Sequence, residues 1–141
     1  MEEPARHILF HGVIILLFGL LAGIPYARSI IENKSESVVL AWRVAHSALS
    51  MGAILMLSLV SILPLLNVNM VIKWIISVLI IVSGYAFSMA LYLGPCVGHR
   101  GLSCKGPVFA KVVYLGNTIG AATSMIASCA LLFSAWQSLN T

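Results

Sequence analysis

The sequence predicts an all-α integral membrane protein built as a four-helix transmembrane bundle. Composition is the first observation behind this fold class: 60% of the 141 residues are hydrophobic and 9% are charged, with a mean hydropathy of +1.04. A soluble domain cannot bury so large a share of apolar side chains. Segment length is the second observation, because a helix needs about 20 apolar residues to cross a bilayer. The chain contains four such segments.

The four predicted spans belong to a single membrane domain that covers residues 1–141. The first span ends around Pro25, and the second has Pro64 near its end. The connections are a polar stretch at 31–37, a short turn at 67–69, and a loop at 94–107 whose four glycines and two prolines favour turns. The predicted spans are residues 8–26, 38–66, 70–93 and 108–136.

The basic residues lie near the ends of these spans. Eight Lys and Arg give a net charge of +4. They form no basic run or aromatic-interleaved patch of the kind that binds nucleic acid, so we expect the chain to contact the lipid bilayer and no nucleic acid. Six of the eight lie towards the first and third connections, and two, Arg6 and Lys73, lie on the side of the termini and the second connection. The positive-inside rule therefore places both termini outside.

No carboxylate lies within a predicted span, since all four acids precede or follow one: Glu2, Glu3, Glu32 and Glu36. A small proton-coupled exporter needs an acid inside the membrane, so that class is disfavoured. The chain has no Cys-x-x-Cys pair for thiol–disulfide exchange, and a Ser-His-acid triad would lack its acid. Chemistry must come from histidine, tyrosine, hydroxyl or amide groups, or from a cofactor.

Small residues recur on two of the spans. The fourth span carries them every four residues, at Gly116, Gly120, Ser124 and Ser128. The first span has Gly19 and Gly23 at the same spacing. Small residues let helices approach closely in lipid, and we expect close packing within the chain in preference to a dedicated oligomer seam. Four short helices leave little room for an internal pocket, which favours a site shared in an oligomer.

His46 is the main candidate for chemistry. An imidazole inside a span is costly to leave unpaired and is a natural axial ligand for haem iron. Helical spacing places Trp42, Ser50 and Ala53 on the same face. Trp42 could lie against a macrocycle, and Ser50 could hold a water or an oxygen ligand. The alternative is a histidine near the interface, hydrogen-bonded to a neighbouring hydroxyl.

Two further histidines stand at the start of the first span. Either His7 or His11 could supply a second ligand to a haem, and the alternative for both is an interfacial role. Two histidine ligands would indicate a non-catalytic or electron-transferring haem protein. One histidine would leave a coordination position open, so that the iron could act as a Lewis acid.

The other polar candidates lie in the third span and in the long loop. Ser88 and Tyr92 share a face of the third span, although a tyrosine near a helix end is often an interfacial belt residue. In the loop, Cys96, His99 and Cys104 could bind zinc only if a fourth ligand were present. The sequence offers none nearby, which favours a glycine-rich turn with incidental thiols.

Several segments, taken in order, resemble the styrene oxide isomerase family of small four-helix membrane enzymes. They are a histidine-containing start to the first span, then Leu-Leu-Phe-Gly at 16–19, Trp-Arg-Val-Ala-His-Ser at 42–47, Leu-Pro at 63–64, Gly-Tyr-Ala at 84–86 and Arg-Gly-Leu at 100–102. The similarity extends over most of the chain. It implies an enzyme that rearranges an apolar epoxide to a carbonyl compound, as a multi-pass protein of the bacterial inner membrane.

The resemblance also implies ferric haem b held between the protomers of a homotrimer. The family's axial histidine falls on His46, which would make Trp42 and Ser50 its neighbours at the cofactor. The iron would act as a Lewis acid on a small lipophilic substrate, with a 1,2-shift and no net redox change. A bilayer-embedded site would keep water away from the opening epoxide.

The substrate-handling positions depart from the family. Aligned through residues 100–102, the positions of its distal tyrosine, asparagine and aspartate read Ser83, Phe87 and Leu91. A shift of one residue brings Tyr92 to the tyrosine position and Ser88 to a neighbouring one. These two residues are the resulting catalytic candidates. A glutathione-using membrane enzyme or a haem-free membrane protein is a further alternative, although the acid and the asparagine of glutathione-using enzymes are missing.

Overall fold

The computed structural model describes residues 1–140 as helices joined by short connections. Two shorter helices, α1 and α2, together form the segment Glu3–Ile31, and three long helices follow. Four helical segments are therefore long and apolar enough to cross a membrane, which confirms the predicted all-α class and number of spans. The helices are α1 Glu3–Leu21, α2 Gly23–Ile31, α3 Glu36–Ile62, α4 Met70–Val97 and α5 Val108–Leu139, with a 3-10 turn Leu63–Leu65 after α3.

The helical segments are longer than the predicted spans. They contain 28 to 32 residues each, and a rise of 1.5 Å per residue gives lengths of roughly 42–48 Å. The hydrocarbon core is about 30 Å thick. Hydropathy detects only the part of a helix that matches this core, so the ends of the helices reach into the interface or the helices tilt.

The first helical segment does not end at Pro25 as the sequence suggested. Its helix is interrupted at Ala22, and α2 then continues through Pro25, the third residue of the new helix, where a missing N–H is tolerated. The helix ends at Ile31, and Asn33, two residues later, adopts φ 48°. There the Lys34 N–H bonds the Ser29 carbonyl at 3.0 Å and closes a Schellman motif.

The third helical segment also extends beyond its expected end. Residues 94–107 were expected to form a loop, but α4 continues past Gly94 and Pro95 to Val97. Gly98 then adopts φ 70°, and the His99 N–H bonds the Gly94 carbonyl at 3.1 Å. A left-handed glycine with this hydrogen bond is a Schellman ending, so the helix stops one turn later than the glycine–proline pair indicated.

The bundle consists of two closely packed pairs, α1 with α3 and α4 with α5. Gly120 lets the second pair approach, because a Cβ added there would lie 2.9 Å from the Phe87 ring. A Cβ on Gly116 would lie 3.0 Å from the Ala86 carbonyl oxygen. The Ser83 hydroxyl donates to the Gly120 carbonyl at 2.8 Å. The predicted intrachain packing of the two glycines is confirmed, whereas Ser128 is exposed.

A buried ion pair joins the N-terminus to α4. Lys73 is only 5% exposed, and its Nζ lies 2.7 Å from a carboxylate oxygen of Glu2. Nζ also lies 3.5 Å from the Pro64 carbonyl oxygen. Removing either partner would leave a charge in an apolar environment, so the pair holds α1 and α4 together at this end.

We expect Gly120→Ala to destabilise the protein and Gly52→Ala to leave it unchanged or slightly more stable. The methyl group at 120 meets the Phe87 ring, and overpacking of this kind costs about 1–3 kcal/mol. At 52 an added Cβ meets nothing within 4 Å, and alanine has the higher helix propensity. Thermal unfolding in detergent, followed by circular dichroism, measures both. Equal melting temperatures for the two variants would contradict the packing described for α4 and α5.

Candidate functional site

A partly buried histidine at the contact of α1 and α3 is the centre of the candidate site. His46 Nδ1 lies 2.8 Å from the carbonyl oxygen of Gly19. A carbonyl oxygen only accepts, so Nδ1 donates its proton and Nε2 of the neutral ring keeps a lone pair. Within residues 1–140 the ring makes no other hydrogen bond. The alternative expectation of a neighbouring hydroxyl partner is wrong, because the partner is backbone.

Glycines on the first segment make this contact possible. A Cβ added to Gly19 would lie 2.7 Å from both the backbone nitrogen and the Oγ of Ser50. At Gly23 a Cβ would lie 3.3 Å from the His46 ring. The Gly-x-x-x-Gly spacing therefore brings the backbone of the first segment against α3, so that a main-chain carbonyl can reach the imidazole.

Beyond the helix interruption at Ala22, the ring of Tyr26 lies beside the ring of His46. Tyr26, one turn into α2, lies nearly parallel to the His46 ring, with centroids 6.4 Å apart and an interplanar angle of 21°. The imidazole is thus held by a hydrogen bond at one ring nitrogen and by Tyr26 along its side. Tyr26 was not a sequence candidate, because the sequence does not indicate the direction of a tyrosine at the end of a predicted span.

Trp42 and Ser50, the predicted neighbours of His46, make different contacts. The Trp42 ring contacts Tyr92 edge to face, with centroids 5.8 Å apart and an angle of 82°. Ser50 Oγ is buried and has no hydrogen-bond partner within residues 1–140. A buried hydroxyl without a partner is unfavourable, so this position favours a water or a polar ligand atom beside it.

The catalytic candidates of the third span line an open cleft against α1. Tyr92 donates its hydroxyl proton to the Phe18 carbonyl at 2.5 Å, and Ser88 donates to the Gly84 carbonyl at 2.8 Å. Both hydroxyl oxygens retain acceptor capacity. The Phe18 and Gly19 carbonyls, which bind Tyr92 and His46, belong to consecutive residues. The cleft has a volume of about 490 Å³ and is lined by Phe18, Leu21, Tyr85, Ser88, Met89 and Tyr92.

The N-terminal histidines lie on other turns of the first segment. His11 Nδ1 is 2.8 Å from the Tyr85 hydroxyl, and the His7 ring packs against Trp74 with centroids 5.2 Å apart. His11 is eight residues from Gly19, which corresponds to about 12 Å along the helix. The structure therefore does not bring His11 and His46 of one chain together as ligands of a single iron. The His11–Tyr85 pair was not anticipated from the sequence.

The polar residues of the loop are not assembled as a metal site. Cys96 and Cys104 are free thiols at exposed positions. Within residues 1–140, no group of three or more His, Cys, Asp or Glu side chains is placed to hold a metal ion. Asn117 donates to the Arg100 carbonyl at 3.2 Å. Its amide therefore attaches the loop to α5 and takes no part in the contact around His46.

The chain as a whole matches a family model described as styrene oxide isomerase. The match covers residues 4–136, from the first turn of α1 to the last turns of α5. His46, Trp42, Ser50, Ser88 and Tyr92 all lie within the matched residues. No curated protein matches the chain.

We expect Gly19→Ala to destabilise the contact that positions His46. The new methyl group would meet backbone as well as side-chain atoms of Ser50, so α1 and α3 must move apart. We expect a loss of about 1–3 kcal/mol, measured by thermal unfolding in detergent. Gly23→Ala is the matched control, because its methyl group meets a ring at 3.3 Å and needs a smaller adjustment. A Gly19→Ala variant as stable as the wild type would show that the close backbone contact is not required.

Proposed function

The chain belongs to the styrene oxide isomerase family, and we propose that it is a haem b-dependent membrane enzyme that rearranges an apolar epoxide to a carbonyl compound. The observation that carries this proposal is the hydrogen bond from His46 to the Gly19 carbonyl. Histidines that bind metals through one ring nitrogen usually donate from the other to a carbonyl or carboxylate. The hydrogen bond at Nδ1 leaves Nε2 of His46 with the lone pair that would hold a haem iron.

The residues around His46 fit a haem. Nε2 offers the lone pair that an iron requires, and Tyr26 beside the imidazole supplies apolar surface. The unpartnered hydroxyl of Ser50 is a place for a polar atom of the ligand or for a water. When bound, ferric haem would supply a Lewis-acidic iron for the epoxide oxygen. Trp42 and Ser50 would complete the protein side of the cofactor site.

The remaining residues of the site orient the reactants and exclude water. Tyr92 and Ser88 present hydroxyl oxygens in a largely apolar cleft, with their protons held by backbone carbonyls. The overall reaction moves a hydrogen between neighbouring carbons while a C–O bond opens, so no side chain has to remove or supply a proton. Low water content protects an electron-poor carbon from hydrolysis, which suits a substrate that enters from lipid.

Assembly and location are parts of the same proposal. His46 is only partly buried in a single chain, and many large apolar side chains of the bundle face outwards. A homotrimer, the arrangement implied by the family resemblance, would cover the open side of the imidazole with a neighbouring copy. We place the enzyme in a bacterial inner membrane, where a lipophilic substrate concentrates.

We expect detergent-purified protein, expressed with ample haem, to show a Soret band and to convert styrene oxide to an aldehyde. His46→Ala should lose both properties, because the variant lacks the imidazole that would hold the haem. Imidazole supplied together with haem should restore part of the haem that co-elutes with the folded protein in size-exclusion chromatography, which an unfolded variant could not retain. His11→Ala is the matched control and should keep the band, because its Nδ1 is engaged with Tyr85 on another turn.

Two outcomes contradict this function. A haem-free wild type would remove the proposed cofactor. A low-spin bis-histidine spectrum, without epoxide rearrangement, would indicate the electron-transferring alternative.

We expect Tyr92→Phe to keep the haem spectrum and to lower kcat/KM for the epoxide. The substitution removes an oxygen from the cleft and the hydrogen bond to the Phe18 carbonyl. Hydrogen bonds between membrane helices are worth about 0.6 kcal/mol on average, so the fold should persist. Ser83→Ala is the control, since it also loses one hydrogen bond between helices, to the Gly120 carbonyl, and lies outside the lining of the cleft. Equal rates for the two variants would assign Tyr92 a purely structural role.

A further inference from the structure

A groove opens between α3 and α5 on the side of α3 turned away from His46. It consists of two cavities, of about 280 and 330 Å³. Leu91 and Asn117 line both cavities, which therefore form one continuous groove over α4. Ala48 lines the groove and is two residues after His46, which is about 200° around the helix. The groove and the His46 ring are therefore on opposite sides of α3.

The walls of the larger cavity are apolar. Gly52 lies open on its α3 side, where an added Cβ would meet nothing within 4 Å. On the opposite side, α5 packs mainly against α4 and leaves a gap to α3. Ser83 of α4 and Ser124 of α5 donate their hydroxyl protons to backbone carbonyls. Apolar contacts therefore dominate this part of the groove. They come from Ile15, Leu49, Leu55, Met56, Ile80 and Phe87.

The smaller cavity ends at polar groups. Arg100, His99 and Ser37 line it at the end of the bundle where α3 begins and α4 ends. The Arg100 guanidinium has no ion pair or hydrogen bond to any of residues 1–140, although its backbone carbonyl accepts from Asn117. His99 likewise has no side-chain partner there. An unpaired cation therefore stands at the mouth of an apolar groove.

The charge of this end of the bundle favours an anionic ligand. Six basic residues stand near the first and third connections against two acids, Glu32 and Glu36. Glu32 is paired with Lys34 at 3.3 Å, and Glu36 is not among the residues that line the cavity. Basic pockets between membrane helices on such a face bind the head groups of anionic lipids.

We propose that the groove binds an anionic phospholipid, with one acyl chain between α3 and α5 and the phosphate at Arg100 and His99. The guanidinium matches a phosphate in shape and charge. The open position at Gly52 accommodates the chain within the bilayer. A lipid held in this way fills the gap between the two helix pairs and supports the loop at 98–107.

The test is native mass spectrometry of the detergent-purified protein with added phosphatidylglycerol or phosphatidylcholine of the same acyl chains. We expect phosphatidylglycerol to be retained in about fivefold excess, the factor that one well-placed basic residue contributes near a membrane surface. Arg100→Gln should bring the two lipids close to parity. Lys105→Gln, in the same loop but outside the lining, should keep the preference.

Filling the groove provides a second, independent variant. Gly52→Leu places a side chain where the acyl chain would lie and should abolish retention of both lipids. Ser61→Leu, at an exposed position of the same helix, should retain them. Equal retention of the two lipids by the wild type, or unchanged retention by Gly52→Leu, would overturn the proposal. Absence of bound lipid, with cysteine cross-links between copies across the α3–α5 face, would assign the groove to a second copy of the chain. Neither readout depends on haem.

Discussion

The backbone contact between α1 and α3 at Gly19 is the constraint on which the candidate site depends. Without a side chain at this position, the main chain of α1 lies against Ser50, and the Gly19 carbonyl reaches His46. The preceding carbonyl, of Phe18, accepts from Tyr92 of α4. Two consecutive peptide groups of one helix therefore position side chains from two others. A displacement of α1 would alter the histidine and the tyrosine together.

The sequence predicts the helical fold well and the helix ends poorly. Hydropathy identifies the four spans because the bilayer imposes a minimum apolar length. The ends depend on local hydrogen bonds that apolar content does not report. Pro25 and Pro95 both suggested a stop, yet Pro25 lies in the first turn of α2, where a missing N–H is tolerated, and α4 continues only two residues beyond Pro95. The true ends are left-handed residues, Asn33 and Gly98, that close Schellman motifs.

The candidate site is predictable in part. Helical spacing alone groups Trp42, His46 and Ser50 on one face, and the structure turns His46 and Ser50 towards α1. The partner of the histidine was missed because a backbone carbonyl has no sequence signature. The glycine spacing of the first span was the available signal, since it marks where backbone can approach. Tyr26 and the pairing of His11 with Tyr85 depend on three-dimensional placement that periodicity does not contain.

The distribution of charge is consistent with a reaction that needs no acid or base. Within residues 1–140, the buried ion pair is Lys73 with Glu2, at the opposite end of α4 from Tyr92. Nineteen residues separate Lys73 from Tyr92, which is roughly 28 Å along the helix. The polar groups near His46 are the hydroxyls of Ser50 and Tyr92 and the peptide carbonyls of Phe18 and Gly19. Their dipoles can orient a ligand without exchanging protons. The proposed epoxide rearrangement conserves every atom of its substrate, so orientation and exclusion of water are the contributions that it would require of the side chains.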